Sequence, residues 1–355
     1  MGLLLLKEGV KLKLLISLNN LELEKYLKFT NSFIIGLRNY SVNYCEATLD
    51  EIEKVLNKYP DIELFVSINK NIFNDDLDDL KHKLCSLARL KIKGIMFYDI
   101  SILSLVNNMH LDIPLIIHQD HMITNYNICN YYAENGVQYA YLSTDITTDE
   151  IIEIREKTKI NLIVFIAGNV MITHSKRKLL TNYYQYTNSK MEKRDSLNTL
   201  KTGVITEKKS NNIDEQSQKY YIEETDLGTN ILTCQILNGA QAFLKFRDYS
   251  NLNNNGISYI VLDSNIKDLK TISKKINDEN IKTRKDQDKI NLKKISKIEN
   301  GEQLFLKLLE LYYLALNRKI DDATFLKETT NVLNNNDFDG FFSKKTIYKV
   351  KKWKR

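Results

Sequence analysis

Residues 161–184, NLIVFIAGNVMITHSKRKLLTNYY, decide the fold. Leu162 to Ile166 form an unbroken apolar run rich in branched side chains, as a strand buried on both faces of a parallel sheet requires. Ala167-Gly168-Asn169 ends the run, and Thr173-His174-Ser175 turns polar. Lys176-Arg177-Lys178 then sets three cations side by side, and Leu179, Leu180 and Tyr183 recur at helical spacing. A core strand opening onto hydroxyl, imidazole and guanidinium groups is a candidate anion site. Arg177 could grip a phosphate or carboxylate through two parallel hydrogen bonds. The same cations also read as a solvated loop, since charge runs are usually surface.

Outward from this strand the chain alternates. Strand-like segments precede it at 11–18 (KLKLLISL), 32–37 (SFIIGL), 61–69 (DIELFVSIN), 94–99 (GIMFYD), 113–118 (IPLIIH) and 137–142 (VQYAYL). Helical patterns separate them at 21–29, 49–58, 77–90, 102–108, 126–134 and 148–157. Thr48, with Glu51 three residues on, makes a capping box for the second of these helices. Beyond the central strand, 187–219 is polar and reads as a long insertion or lid, with a short hairpin around 202–208. An eighth strand at 257–263 (ISYIVLD) and a lysine-rich stretch at 267–300 follow, then a helix at 302–316 (EQLFLKLLELYYLAL). Strands alternating with helices at short spacing imply a parallel sheet with right-handed crossovers. Eight such units predict the α/β class: a (β/α)8 TIM-like barrel with a polar insertion after strand 7 and a basic C-terminal tail. A doubly wound open sheet is the alternative. On this reading, 1–186 holds the first seven units and 187–219 the insertion. Residues 220–355 then supply barrel closure, C-terminal helix and tail.

Hydrophobic residues make up 43% of the 355, enough for a sizeable core, so wholesale disorder is excluded. Lysine and arginine total 51 against 45 acids, and the net charge of +6 permits a polyanion partner without demanding one. Cys45, Cys85, Cys129 and Cys234 are far apart and form no CxxC pair. This argues against a zinc ribbon or disulfide scaffold and predicts a cytoplasmic protein. The N-terminal leucine run is too short for a signal-peptide core, and no run approaches the length of a membrane span.

In a barrel of this type, sites sit where strands end and loops begin. That rule selects Asp99, the His118-Gln119-Asp120-His121 cluster, Ser143-Thr144-Asp145, and Ser175-Lys176-Arg177. Two histidines flanking an acid admit a metal, but no third ligand is marked. His118 could do acid–base work, and the cluster could equally be polar caps closing a βα loop. There is no GxSxG, no supported cysteine nucleophile and no Gly-rich phosphate loop. The last twelve residues carry seven cations, with Tyr348 and Trp353 among them. Lys349, Lys351, Lys352 and Trp353 are therefore candidate RNA contacts, the alternative being a solubilising tail or protected edge strand.

Several segments together resemble a known family. FIAGNVMITHSKRKLLTNYY is similar to the signature of the collagenase-like peptidases of family U-thirty-two (U32). In that family a strand ending in His-Gly precedes a Ser-x-Arg-x-Leu-Leu segment. PLIIHQDHMITNYNICNYYAENGVQYAYLSTDITTDEI, GTNILTCQILNG and GFFSKKTIYKVK are similar to further family segments in the same order. The short form and closing segment look most like the first of the paired family members implicated in tRNA wobble-uridine hydroxylation in low-GC Gram-positive bacteria. The resemblance implies a component of 5-hydroxyuridine formation acting on tRNA with a second family member. Ser175, Lys176 and Arg177 would hold an anionic group, and His118, Gln119, Asn125 and Asp99 would line the mouth. Departures matter too. Ala167 stands for the family's His, and Met171 and Lys178 stand where longer relatives carry cysteines associated with an iron–sulfur cluster. With Cys234 alone nearby, the chain is expected to bind no cluster. The family name makes a peptidase the runner-up, and loss of the cluster positions admits an inactive scaffold for an active partner.

Overall fold

The computed structural model describes residues 12–186, 201–207, 218–253, 256–267, 290–294, 301–333 and 337–344. Its strands begin with β1 (Lys13–Ser17), β2 (Ser32–Leu37) and the two-residue β3 (Glu46–Ala47), which pairs in parallel beside the end of β2. β4 (Glu63–Ile68), β5 (Gly94–Phe97), β6 (Leu115–His118), β7 (Tyr139–Tyr141) and β8 (Asn161–Gly168) follow, each parallel to the last. The chain then leaves the barrel for β9 (Met171–Ser175), β10 (Lys201–Glu207), β11 (Gln218–Thr225) and β12 (Gly228–Thr233). It returns through β13 (Ile236–Asn238), antiparallel to the end of β8, and β14 (Tyr259–Asp263) closes the ring between β8 and β1. The result is a closed eight-stranded parallel barrel. β15 (Ile290–Lys294) joins a second, antiparallel sheet in the order β15-β10-β11-β12-β9, and β16 (Asp337–Phe338) pairs with β13.

Helices link the strands: α1 (Leu49–Lys58), α2 (Leu77–Arg89), α3 (Ser101–Asn108), α4 (Tyr126–Glu134) and α5 (Thr148–Lys157). Thr48 and Thr147 each start their helix with a reciprocal capping box, satisfying two orphan donors apiece. α6 (Leu179–Tyr186) follows β9 and α7 (Ala240–Leu252) precedes β14. α8 (Glu302–Leu316) and α9 (Asp322–Leu333) pack on α7, where the buried Arg247 forks onto Asp322 at 2.9 and 3.0 Å. Residues 21–29, expected as a helix, are a series of turns. Tyr26 and Phe29 donate to carbonyls three residues back, so Leu23 and Tyr26 reach the core from tight turns.

Strand alternation sorts side chains into two layers. Leu15, Ile34, Phe65, Met96, Ile116, Tyr141, Ile163 and Val261, one from each barrel strand, fill the interior. The other face of each strand packs against the helices. The N-terminal end is plugged by Glu63, which accepts from Lys13 Nζ at 2.8 Å, Ser32 Oγ at 2.7 Å and Tyr259 Oη at 3.0 Å. Lys93 Nζ lies 3.2 Å away. Among the described residues, no helix is long and apolar enough to cross a membrane.

Candidate functional site

The opposite end, where the strands finish, holds a cavity of about 60 Å³. Ser17 ends β1, His118 ends β6 and Asp263 ends β14, while Tyr44 enters from the loop after β2. Asn43, Asp120, Thr144, Asn169 and Met171 also line the wall. Tyr141 stacks on the His118 ring, centroids 3.9 Å apart and planes 26° apart, and Tyr44 lies 6.4 Å from the same ring. Phe165 forms another apolar wall.

The register of β8 sets this geometry. An irregularity opposite Val261–Leu262 shifts the pairing, so Ala167 faces Leu262. Gly168 then passes Asp263 so closely that a Cβ would lie 2.6 Å from the Asp263 Cβ. Asp263 Oδ1 accepts from Ser17 Oγ at 3.1 Å and from the Asn265 amide at 3.0 Å. Burial pushes the Asp263 carboxyl up to about 6, against the pull of these bonds and of Lys267. Burial also pushes Asp120 up, but the bond and charge of His118 outweigh it and hold its pKa low. The contact is His118 Nε2 to Asp120 Oδ1, 3.3 Å, while His118 Nδ1 is buried with no partner among the described residues. Tyr44 and Tyr141 are both raised well above the usual phenol range, by burial first, then by the two acids and, for Tyr141, by the neighbouring Tyr44 ahead of them. The titratable part of the lining is therefore two neutral phenols, an imidazole, an ionised acid and an acid near its titration point. It can stack a flat ring, donate and accept hydrogen bonds, and hold a proton near neutral pH.

A polar layer fixes the second sheet over one side of this mouth. Asn230, on β12, is buried and donates to the Val42 carbonyl, while its Oδ1 meets His174 Nδ1 at 2.7 Å. Asn169 Oδ1 accepts from the Lys267 amide at 2.8 Å, and its amide donates to the Thr233 carbonyl at 2.9 Å. Lys267 Nζ lies 3.7 Å from the buried Glu223.

Of the residues the sequence singled out at strand ends, His118, Asp120 and Thr144 line the cavity. Three others tie loops together. Asp99 accepts from the Ile72 and Ser101 amides at 3.0 and 2.9 Å. Gln119 donates to the Tyr98 carbonyl at 2.8 Å, and Asn125 caps α4 through the Ile128 amide at 3.1 Å. Ser175 ends β9, Lys176 and Arg177 follow it, and all three stand outside the cavity lining. Ser175 Oγ accepts from the Arg177 amide, Lys176 Nζ sits 3.6 Å above the Phe73 ring, and the Arg177 side chain is exposed. Lys178 pairs with Asp226 at 3.4 Å. At the rim, His121 bridges Asp145 at 2.8 Å and the Ile172 carbonyl at 3.4 Å, so β9 runs from the loop after β6 to the loop after β4. Lys349, Lys351, Lys352 and Trp353 lie outside the described residues. Ser17 and Asp263 stand at strand ends and were open to the same rule that picked Asp99. Tyr44 sits in a loop with no periodicity to mark it.

Residues 30–249 match the model of Peptidase family U32. The tRNA hydroxylation protein P2 of Bacillus subtilis (strain 168) is 25% identical over 209 residues, 57% of this chain and 64% of that protein. The tRNA hydroxylation protein P1 of the same organism is 24% identical over 148 residues, 42% of this chain and 35% of that protein. The match thus spans less than two thirds of either relative. A solved U32 peptidase superposes with a TM-score of 0.42 at 8% identity, over 72% of this chain and 94% of that one. A family GH18 chitinase from Cycas revoluta gives 0.33 at 8% identity over the same shares. Superpositions this loose carry no functional argument. With the family model running from just before β2 into α7, more than half its length, the chain belongs to peptidase family U32.

Proposed function

We propose that this chain takes part in hydroxylation of the wobble uridine of tRNA, forming 5-hydroxyuridine, together with a second member of its family. What supports this reading is sequence similarity to two proteins named for tRNA hydroxylation, and their numbering as P1 and P2 motivates the partner. The cavity supplies a site for a base and a proton-holding group. Lys176 and Arg177 at the rim would meet phosphates, and the tail cations Lys349, Lys351 and Lys352 with Trp353 would extend that contact. The donors present do not suit an iron–sulfur cluster: Met171 offers a thioether, Lys178 an ammonium already paired with Asp226, and Cys234 a single buried thiol. A cluster, where the reaction needs one, would belong to the partner.

The family name brings a peptidase as the second reading. Against it, the rings of His118, His121 and His174 pair with Asp120, Asp145 and Asn230, not with a serine hydroxyl. Burial pushes the Cys129 thiol up to about 12, far from a nucleophilic thiolate. Mass spectrometry of tRNA nucleosides from a deletion strain tests the proposal, with and without the partner gene. Loss of 5-hydroxyuridine, restored by the wild-type gene, is the expected outcome, and an unchanged level removes the reading. Full restoration by a Tyr141→Phe, Asp263→Asn double variant would assign the chain a scaffold role.

A further inference from the structure

We propose that the cavity closed by His118, Tyr141, Tyr44 and Asp263 receives an uncharged pyrimidine base with a free N3–H edge, uracil in the tRNA reading on which this inference rests. Lys176, Arg177 and Lys178 take phosphates of the same strand.

Three observations carry this. The first is the shape of the walls. Tyr44, Phe165 and the stacked Tyr141–His118 pair present aromatic surface to one small space. Proteins that read unpaired bases stack them on aromatic rings and bond their edges. The second is the hydrogen-bonding inventory. Neither Tyr44 Oη nor Tyr141 Oη bonds a described residue, yet both line the cavity. Both hydroxyls open onto the cavity, where water or a ligand can meet them. Two hydroxyl donors beside two acids, Asp120 and Asp263, match an edge that alternates carbonyl, N–H and carbonyl.

The third observation is charge. Among the described residues the lining contains no lysine or arginine, and its ionisable groups besides the tyrosines are His118, Asp120 and Asp263. A phosphate or carboxylate would meet two acids, with only the His118 ring, already paired with Asp120, to offset them. That disfavours an anionic ligand and leaves a neutral one. The cations stand just past the far end of β9. Met171 lines the cavity at the start of β9, and Lys176 follows its last residue. At roughly 3.3 Å per residue, β9 spans on the order of 15–20 Å between them. Phosphates one to three nucleotides from an inserted base fall within that span. β9 would thus act as a ruler between base pocket and backbone grip.

The test uses the full-length chain and saturation-transfer NMR with three probes: uridine, 3-methyluridine and inorganic phosphate. Uridine should bind with saturation at millimolar concentrations. 3-Methyluridine, which has no N3–H, should bind about tenfold more weakly, and phosphate should not compete. Tyr44→Phe and Tyr141→Phe, which remove only hydroxyls, should each weaken uridine about three- to tenfold. Unchanged circular dichroism would establish that both variants fold, and Tyr141→Leu provides an independent loss of the stack. Equal binding of uridine and 3-methyluridine, displacement of uridine by phosphate, or no uridine signal each overturns the inference. Failure of the base pocket and failure of the tRNA reading are distinguishable. A chain that binds no uridine, but whose deletion still erases 5-hydroxyuridine, sinks the base pocket alone. Uridine binding in a protein whose deletion leaves tRNA unchanged sinks the tRNA reading instead.

Discussion

Gly168 ends β8 at φ +147, a backbone region that favours glycine. An added Cβ would also lie 2.8 Å from Phe165 Cζ, so alanine must move two cavity walls at once. Gly168→Ala should cost about 1–3 kcal/mol in stability. Its effect on tRNA modification should exceed what that loss explains, since Asp263 and Phe165 both shift. Denaturant midpoints compared with nucleoside analysis of the complemented strain separate the two effects, and a fully active variant would remove Gly168 from the site. Asp263 makes a second prediction through pH. Its folded pKa of about 6 lies above the ordinary 3.8, so folding favours the protonated form. Its contribution is fully favourable below pH 3.8 and is lost as pH rises through about 6. Asp263→Asn should therefore gain stability relative to wild type between pH 4 and 7, by about 1–3 kcal/mol. A wild-type-minus-variant difference that stays flat over that window would place the carboxylate in a better solvated setting.

At the scale of elements, the barrel was legible because its strands are buried on both faces and read as apolar runs with branched residues. Ser32–Leu37 is an example, every position of which is buried. The same legibility failed for β9. MITHS belongs to an antiparallel sheet whose partner strand β12 lies over fifty residues further on, so no local period announces it. Its polar residues therefore read as the mouth of strand seven, although only Met171 reaches the cavity. Asp99 and Asn125 were drawn in for a related reason. Residues that cap helices and residues that do chemistry are the same types at the same strand ends, and only partners tell them apart. The 21–29 segment misled differently: Leu23 and Tyr26 are buried at helical spacing, yet turns present them. What β9 carries beyond the cavity yields its own expectation. Replacing Lys176, Arg177 and Lys178 by alanine should weaken tRNA binding and flatten its salt dependence. The slope should fall by about 0.7 for each phosphate that a cation no longer neutralises. A slope equal to wild type would leave these three as a solvated face.

Across the whole molecule, two carboxylates at opposite ends of one barrel are shifted in opposite directions. Burial opposes ionisation at both. At the closed end, hydrogen bonds from Lys13, Ser32 and Tyr259, with the charge of Lys93, outweigh it and bring Glu63 down to about 2. At the open end the bonds from Ser17 and the Asn265 amide, with the charge of Lys267, fall short of offsetting the burial of Asp263. A group that folding leaves poorly satisfied at a strand end marks function, whereas the satisfied one marks structure. The contrast can be measured. Because the Glu63 pKa is depressed, its contribution is present above the ordinary 4.5 and is lost as pH falls through about 2. Glu63→Gln should cost about 1–3 kcal/mol at pH 7, kept below the full shift because Lys13 is partly exposed. The variant should also lose part of the acid sensitivity between pH 4.5 and 2 while modifying tRNA normally once folded. Asp263→Asn should do the reverse at neutral pH, folding more stably and modifying less. Urea titrations of both variants at pH 3 and 7, alongside nucleoside analysis, would decide it. If Glu63→Gln proved as stable as wild type, or abolished modification while fully folded, the closed end of the barrel would not be the purely structural plug its bonds describe.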